Sequence, residues 1–118
     1  MKTVKIIYKF LAAVLLFYAL IAGFLMEVPL LPALGDAIRN LFFHVGMWFS
    51  MVTLLAIAVV AGALYLKNLR ISYDIIAEQA VNLALLFGLL GLLTGMSWAK
   101  VSWGDWWIND PKLNGAAV

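Results

Sequence analysis

The sequence predicts an all-α integral membrane protein with three transmembrane helices, and two observations carry that reading. Of the 118 residues, 66% are hydrophobic and only 12% are charged, against about 45–50% and about 25% in soluble globular domains. A chain this short has too much surface for its volume to hide that excess inside a soluble core. The apolar residues also gather into three runs, each near the roughly 20 residues that a helix needs to cross a hydrocarbon core about 30 Å thick.

The first span covers about 8–26, an apolar run from Phe10 to Met26 with Lys9 snorkelling to the surface at its start. Lys2, Lys5 and Lys9 resemble the basic region of a signal peptide. The run is long for such a segment, however, contains Tyr18, and is followed by no small-x-small cleavage site, so it is read as a span. The loop from Glu27 to Asp36 is apolar with two prolines and is expected to lie along the interface, with Asp36 as the N-cap of a helix beginning at Ala37.

The second span, about 41–66, runs from Leu41 to Leu66 without a formal charge, and the third covers about 79–98. Gly88, Gly91 and Gly95 lie in the third, the last two spaced as G-x-x-x-G, which lets helices approach closely. Asp74 and Glu78, one turn apart, read as a solvated helix start. The spans form a single membrane domain over 1–118. The ending Leu113-Asn-Gly-Ala-Ala-Val118 looks like the opening of a fourth span, so the sequence is expected to be truncated there.

Charge sets the expected orientation. Lys2, Lys5, Lys9, Lys67 and Arg70 flank one side, and Arg39, Lys100 and Lys112 the other. The excess favours the N-terminus inside, which puts the 27–40 loop and the C-terminal tryptophan-rich segment outside, the periplasmic face in a bacterium. The net charge of +2 is small and by itself says nothing of nucleic acid, and no nucleic-acid partner is expected. With no cysteine in the chain, disulfides, thiolate metal sites and thiol redox chemistry are excluded.

Two features carry possible chemistry. His44 is the single histidine, near the outer end of the second span. An ionisable side chain within a membrane marks a functional site by default, and neutral imidazole is a common ligand of metals, haem iron included. A histidine hydrogen-bonded to a neighbouring helix explains the position equally well. Asn40 and Trp48 share its helix face. Met47 and Met51 are read as packing, because Met51 lies about 10 Å along the axis from His44, too far to share one iron.

The second feature is the segment 98–113, with four of the five tryptophans between Trp98 and Trp107. Trp103, Trp106 and Trp107 stand at i, i+3 and i+4, so a short helix would set them on one face, ending near Asp110 ahead of Pro111. Such an indole surface serves as an interfacial anchor, as a shelf for a flat apolar ligand, or as a cation–π box for a quaternary ammonium. Neither paired carboxylates within the membrane, nor a phosphate loop, nor a Ser/His/Asp arrangement occurs, and an enzyme is not expected.

The residues Trp103-Gly-x-Trp106-Trp107-x-x-Asp110 resemble the "WWD" signature of membrane haem-handling proteins in cytochrome c biogenesis. The segment from Ile38 to Trp48 resembles the stretch around their first periplasmic histidine. Together with the short first span and the Pro-containing outer loop, these motifs resemble the haem exporter protein C (CcmC) family over essentially the whole chain. Asn109 stands where the commoner pattern has tryptophan, and Gly46 where proline often follows His-Val.

The resemblance implies haem b at the outer face of the bacterial inner membrane, its edge on Trp103, Gly104, Trp106, Trp107 and Asp110, and His44 as an axial ligand of the iron. It implies binding and hand-over to a periplasmic haem chaperone beside an ABC-type membrane complex, in contact with the lipid bilayer. The family has six spans and a second histidine beyond the tryptophan motif. With three spans and one histidine, this chain reads as the N-terminal half. The alternatives are a haem-free structural subunit of a membrane transport complex and half of an organic-cation transporter.

Overall fold

The computed structural model describes residues 2–29 and 35–118. All regular structure among them is helical. Helix α1 spans Lys2–Leu25, a 3-10 turn spans Gly35–Arg39, and helices α2, α3 and α4 span Asn40–Asn68, Ile71–Trp103 and Pro111–Ala117. Three of these helices are long and apolar enough to cross a membrane. At 1.5 Å rise per residue α2 and α3 measure about 44 and 50 Å, longer than the apolar runs that announced them. The runs register the hydrocarbon core, whereas the helices continue into its polar margins until the backbone is stopped.

The stops are local and legible. Leu69, in the left-handed conformation at φ 51°, ends α2 and returns its N–H to the Tyr65 carbonyl. With Arg70 it forms the whole link to α3, so α2 and α3 fold back as a tight antiparallel hairpin. Gly104, at φ 88°, ends α3 and donates to the Lys100 carbonyl, a position where the absence of a β-carbon removes the steric cost.

Small residues line the hairpin seam. Ala58 and Ala61 on α2, and Ala80, Ala84, Gly91 and Ala99 on α3, are buried. Large side chains such as Phe49 and Val59 point away and are exposed. Lipid is as apolar as leucine, so association is driven by close backbone approach rather than by hiding hydrophobic surface. Gly88 gives room to the Met51 sulfur, and Gly91 to the Trp48 indole, each in van der Waals contact with α2. The G-x-x-x-G spacing is a packing device, and Met51 is a packing residue.

Helix α1 is attached differently. It meets the hairpin near its C-terminal end, where the Phe24 and Phe43 rings lie 5.0 Å apart and Gly23 backs onto Phe43. Arg39 donates to the carbonyls of Phe24 at 2.9 Å and Met26 at 2.7 Å. These carbonyls fall at the negative end of the helix dipole, where a cation is favoured. The rest of α1 is exposed along its length.

The expectation for Asp36 is corrected. The α-helix begins at Asn40 rather than Ala37, and Asp36 lies within the 3-10 turn. The backbone is already helical at Arg39 (φ −58°, ψ −28°), so the extended cap residue that a carboxylate would occupy does not arise. Most of the remaining loop, 30–34, lies outside the described residues, and with it the expected interfacial course of the two-proline segment.

Candidate functional site

The hairpin register brings the start of α2 against the end of α3. Asn40, His44 and Trp48 recur every four residues along one face of α2 and meet Gly91, Thr94, Gly95 and Trp98. Asn40 Nδ2 donates to the Thr94 carbonyl at 2.7 Å. A β-carbon on Gly95 would lie 2.8 Å from His44 Cε1, so the imidazole occupies space that only glycine leaves open. The indoles of Trp48 and Trp98 stand edge-on to it, with centroids 6.1 and 5.9 Å away.

The hydrogen bonds of the imidazole select its tautomer. Nδ1 lies 3.0 Å from the Gly91 carbonyl and 3.2 Å from Thr94 Oγ1. A carbonyl oxygen can only accept, so Nδ1 carries the proton. Thr94 Oγ1 lies 2.8 Å from the Leu90 carbonyl, to which it donates, and its lone pair shares the Nδ1 proton. In the neutral imidazole the lone pair then lies on Nε2, and no hydrogen bond from the described residues engages that nitrogen. An imidazole held at Nδ1 by a backbone carbonyl, with a lone pair at Nε2, is how proteins orient histidine towards a metal.

His44 opens on a cavity of about 300 Å³. Gly95, Trp98, Ala99, Ser102 and Trp103 of α3 line it, together with Leu113 of α4. Among the described residues, no cluster of three histidine, aspartate or glutamate side chains forms. His44 thus stands as a single nitrogen donor in an aromatic cavity. That donor set fits a metal whose other positions are filled by its own macrocycle, as in haem.

The tryptophan segment is built otherwise than its spacing implied. Trp103 is the last residue of α3, and Gly104 turns the chain out of the helix. Trp106 and Trp107 therefore lie in an irregular link instead of on one face of a short helix. The left-handed cap overrides the i, i+3, i+4 pattern. Trp103, Trp106 and Trp107 are 58%, 55% and 38% exposed, leaving indole area uncovered on each.

Asp110 caps α4: Oδ1 accepts from the backbone N–H of Lys112 at 2.8 Å and of Leu113 at 3.4 Å, with Pro111 at the first helical position. Asn109 also has a definite task. Asn114 Nδ2 donates to Asn109 Oδ1 at 2.7 Å, while Trp107 Nε1 donates to Asn114 Oδ1 at 3.1 Å. The two asparagines form a polar relay that anchors an indole.

Of the residues singled out from sequence, the cavity gathers His44 and Trp103. Gly104, Trp106, Trp107 and Asp110 follow on the same end of the hairpin but do not line it. Sequence reasoning missed Thr94, Gly95, Trp98, Ala99 and Ser102 as site residues. The signal was present, because the small-residue face of α3 through Gly91 and Gly95 continues one and two turns later as Trp98 and Ser102.

The family model described as Heme exporter protein C matches residues 1–118. A putative cytochrome c biosynthesis ccmC-like mitochondrial protein of Marchantia polymorpha is 28% identical over 85 residues, covering 71% of this chain and 37% of that protein. Heme exporter protein C of Escherichia coli K12 is 29% identical over 86 residues, covering 71% of this chain and 34% of its own. Cytochrome c biogenesis protein CcsA of Pelargonium hortorum is 33% identical over 54 residues, 46% of this chain and 17% of that one. The chain spans about a third of the length of the first two relatives. No solved structure matches it. With three membrane-crossing helices and a family match from end to end, the chain is a multi-pass membrane protein and belongs to the heme exporter protein C (CcmC) family of cytochrome c biogenesis.

Proposed function

We propose that this chain binds haem b at the outer face of the bacterial inner membrane and presents it for hand-over during cytochrome c biogenesis. The single observation that carries the reading is His44: Nδ1 is committed to α3 at 3.0 Å from the Gly91 carbonyl, and Nε2 remains free beside an indole-walled cavity. Haem supplies the iron that accepts the Nε2 lone pair. His44 holds that iron, while Trp98 and Trp103 exclude water and flank one edge of the porphyrin.

A porphyrin is larger than the cavity, so the rest of the macrocycle lies against exposed indole. Trp106 and Trp107 provide it, Gly104 allows close backbone approach, and Asp110 holds the segment in place through its cap on α4. The N-terminus lies inside and the tryptophan segment outside, following the lysine and arginine asymmetry. The partners are an ABC-type membrane complex and a periplasmic haem chaperone, to which a single protein ligand yields the iron more readily than a closed site would.

A haem-free structural role is the competing reading, and the Nδ1 bonds of His44 are the observation in its favour. Titration of the detergent-solubilised chain with haem separates the two. The haem reading expects a Soret band that shifts on binding, lost in His44→Ala, while helix content stays unchanged. No spectral change in the parent overturns it.

A further inference from the structure

Four hydroxyls of the α2–α3 hairpin follow one pattern. Ser50 donates to the Gly46 carbonyl at 2.8 Å and Thr53 to that of Phe49 at 2.8 Å. Thr94 donates to the Leu90 carbonyl at 2.8 Å and Ser97 to that of Leu93 at 2.9 Å. Each places its proton on its own helix four residues back, the usual arrangement in an apolar setting. Ser102 does not. Its Oγ is buried and unpartnered, the one such side-chain polar atom among the described residues.

The exception stands at a particular place. Ser102 is one of the residues lining the cavity with His44, Trp98 and Trp103, and the only one of them that carries a hydroxyl. A buried hydroxyl without a partner destabilises the fold, and one retained in a native structure needs a reason. Ser102 lies seven residues beyond Gly95, the residue against the imidazole, which is two helical turns or about 10 Å along α3. That is the scale of the separation between the metal of a tetrapyrrole and the carboxylates on its rim. The neighbouring cation is already engaged, since Lys100 Nζ donates to the Gly104 carbonyl at 2.6 Å.

From this geometry we infer that the Ser102 hydroxyl is a hydrogen-bond donor for a rim carboxylate of the tetrapyrrole whose iron His44 holds. The inference rests on the haem reading above and adds a second, polar point of recognition to it. It sets the rotation of the macrocycle about the Nε2–iron bond, which a single axial ligand leaves free.

The test compares the parent chain with Ser102→Ala and Ser102→Thr in detergent, titrated with ferric haem b and with its dimethyl ester, in which both carboxylates are masked. Ser102→Ala should weaken haem b binding by about tenfold, as expected for loss of a hydrogen bond to a charged acceptor. The ester should lose far less, and Ser102→Thr should recover the affinity. Removal of the orphan hydroxyl should also raise the thermal midpoint of the ligand-free chain, opposite in sign to its effect on binding. Unchanged haem b affinity in Ser102→Ala, or equal losses for haem and ester, overturns this inference while leaving His44 ligation standing. A parent that takes up neither ligand overturns both.

Discussion

Gly95 and His44 share a single volume: the imidazole Cε1 sits 2.8 Å from where a β-carbon of residue 95 would be. The glycine thus sets how deeply the histidine enters the hairpin, and so whether Nδ1 reaches the Gly91 carbonyl. Gly95→Ala should displace the ring and destabilise the hairpin by about 1–3 kcal/mol, the usual range for overpacking. Gly46→Ala, at a helical position with nothing within 4 Å, is the matched control and should be neutral or slightly stabilising. Thermal unfolding in detergent measures the difference, and equal midpoints would contradict the packing described.

Leu69 carries a left-handed backbone at φ 51° in the two-residue link. A β-carbon there costs about 1–2 kcal/mol, part of which glycine returns through its greater unfolded-state freedom. Leu69→Gly should therefore stabilise the hairpin by up to about 1 kcal/mol. The gain should appear as slower proteolysis at the link. Faster cleavage there would show that the conformation is not the constraint.

Asp110 offers a way to separate a cap from a ligand contact. Asparagine retains an acceptor for the Lys112 and Leu113 N–H groups, whereas alanine does not. Asp110→Asn should keep α4 and haem affinity close to the parent, and Asp110→Ala should cost about 1 kcal/mol of local stability. Hydrogen exchange at Leu113 and Asn114 reports it. Were Asp110→Asn as damaging to haem uptake as Asp110→Ala, the negative charge itself would be the functional element.

Asn114 tests the relay from Trp107 to Asn109. Asn114→Ala removes the acceptor for Trp107 Nε1 and the donor to Asn109 together. It should increase the quenching of Trp107 fluorescence by an aqueous quencher, read in a background where the other four tryptophans are phenylalanine. Unaltered quenching would mean that the indole is fixed by its other contacts.

The number of long helices and their approximate positions were legible because lipid imposes a minimum apolar length, and three runs met it. Their ends were less so, since helices outlast the hydrocarbon. The capping role of Gly104 could have been read from a glycine four residues after Lys100, but the tryptophan spacing favoured a short helix through Trp103, Trp106 and Trp107. The seam of the hairpin is written in side-chain size rather than polarity, so an apolar-versus-polar reading passes over it; Gly91 and Gly95 reveal it, and extrapolation reaches Trp98 and Ser102. The tie between Arg39 and the carbonyls of Phe24 and Met26 spans more than a dozen residues, and no local pattern announces such a contact.

The manner in which α1 is held has a mechanical consequence. Two aromatic rings and one guanidinium fasten it to the hairpin at one end, and the remainder is left uncovered by the described residues. A helix held in this way leaves most of its apolar length available to lipid or to another membrane-spanning segment. Arg39, which ties α1 to the start of α2, lies only five residues ahead of His44, so a displacement at the C-terminal end of α1 would be felt close to the imidazole.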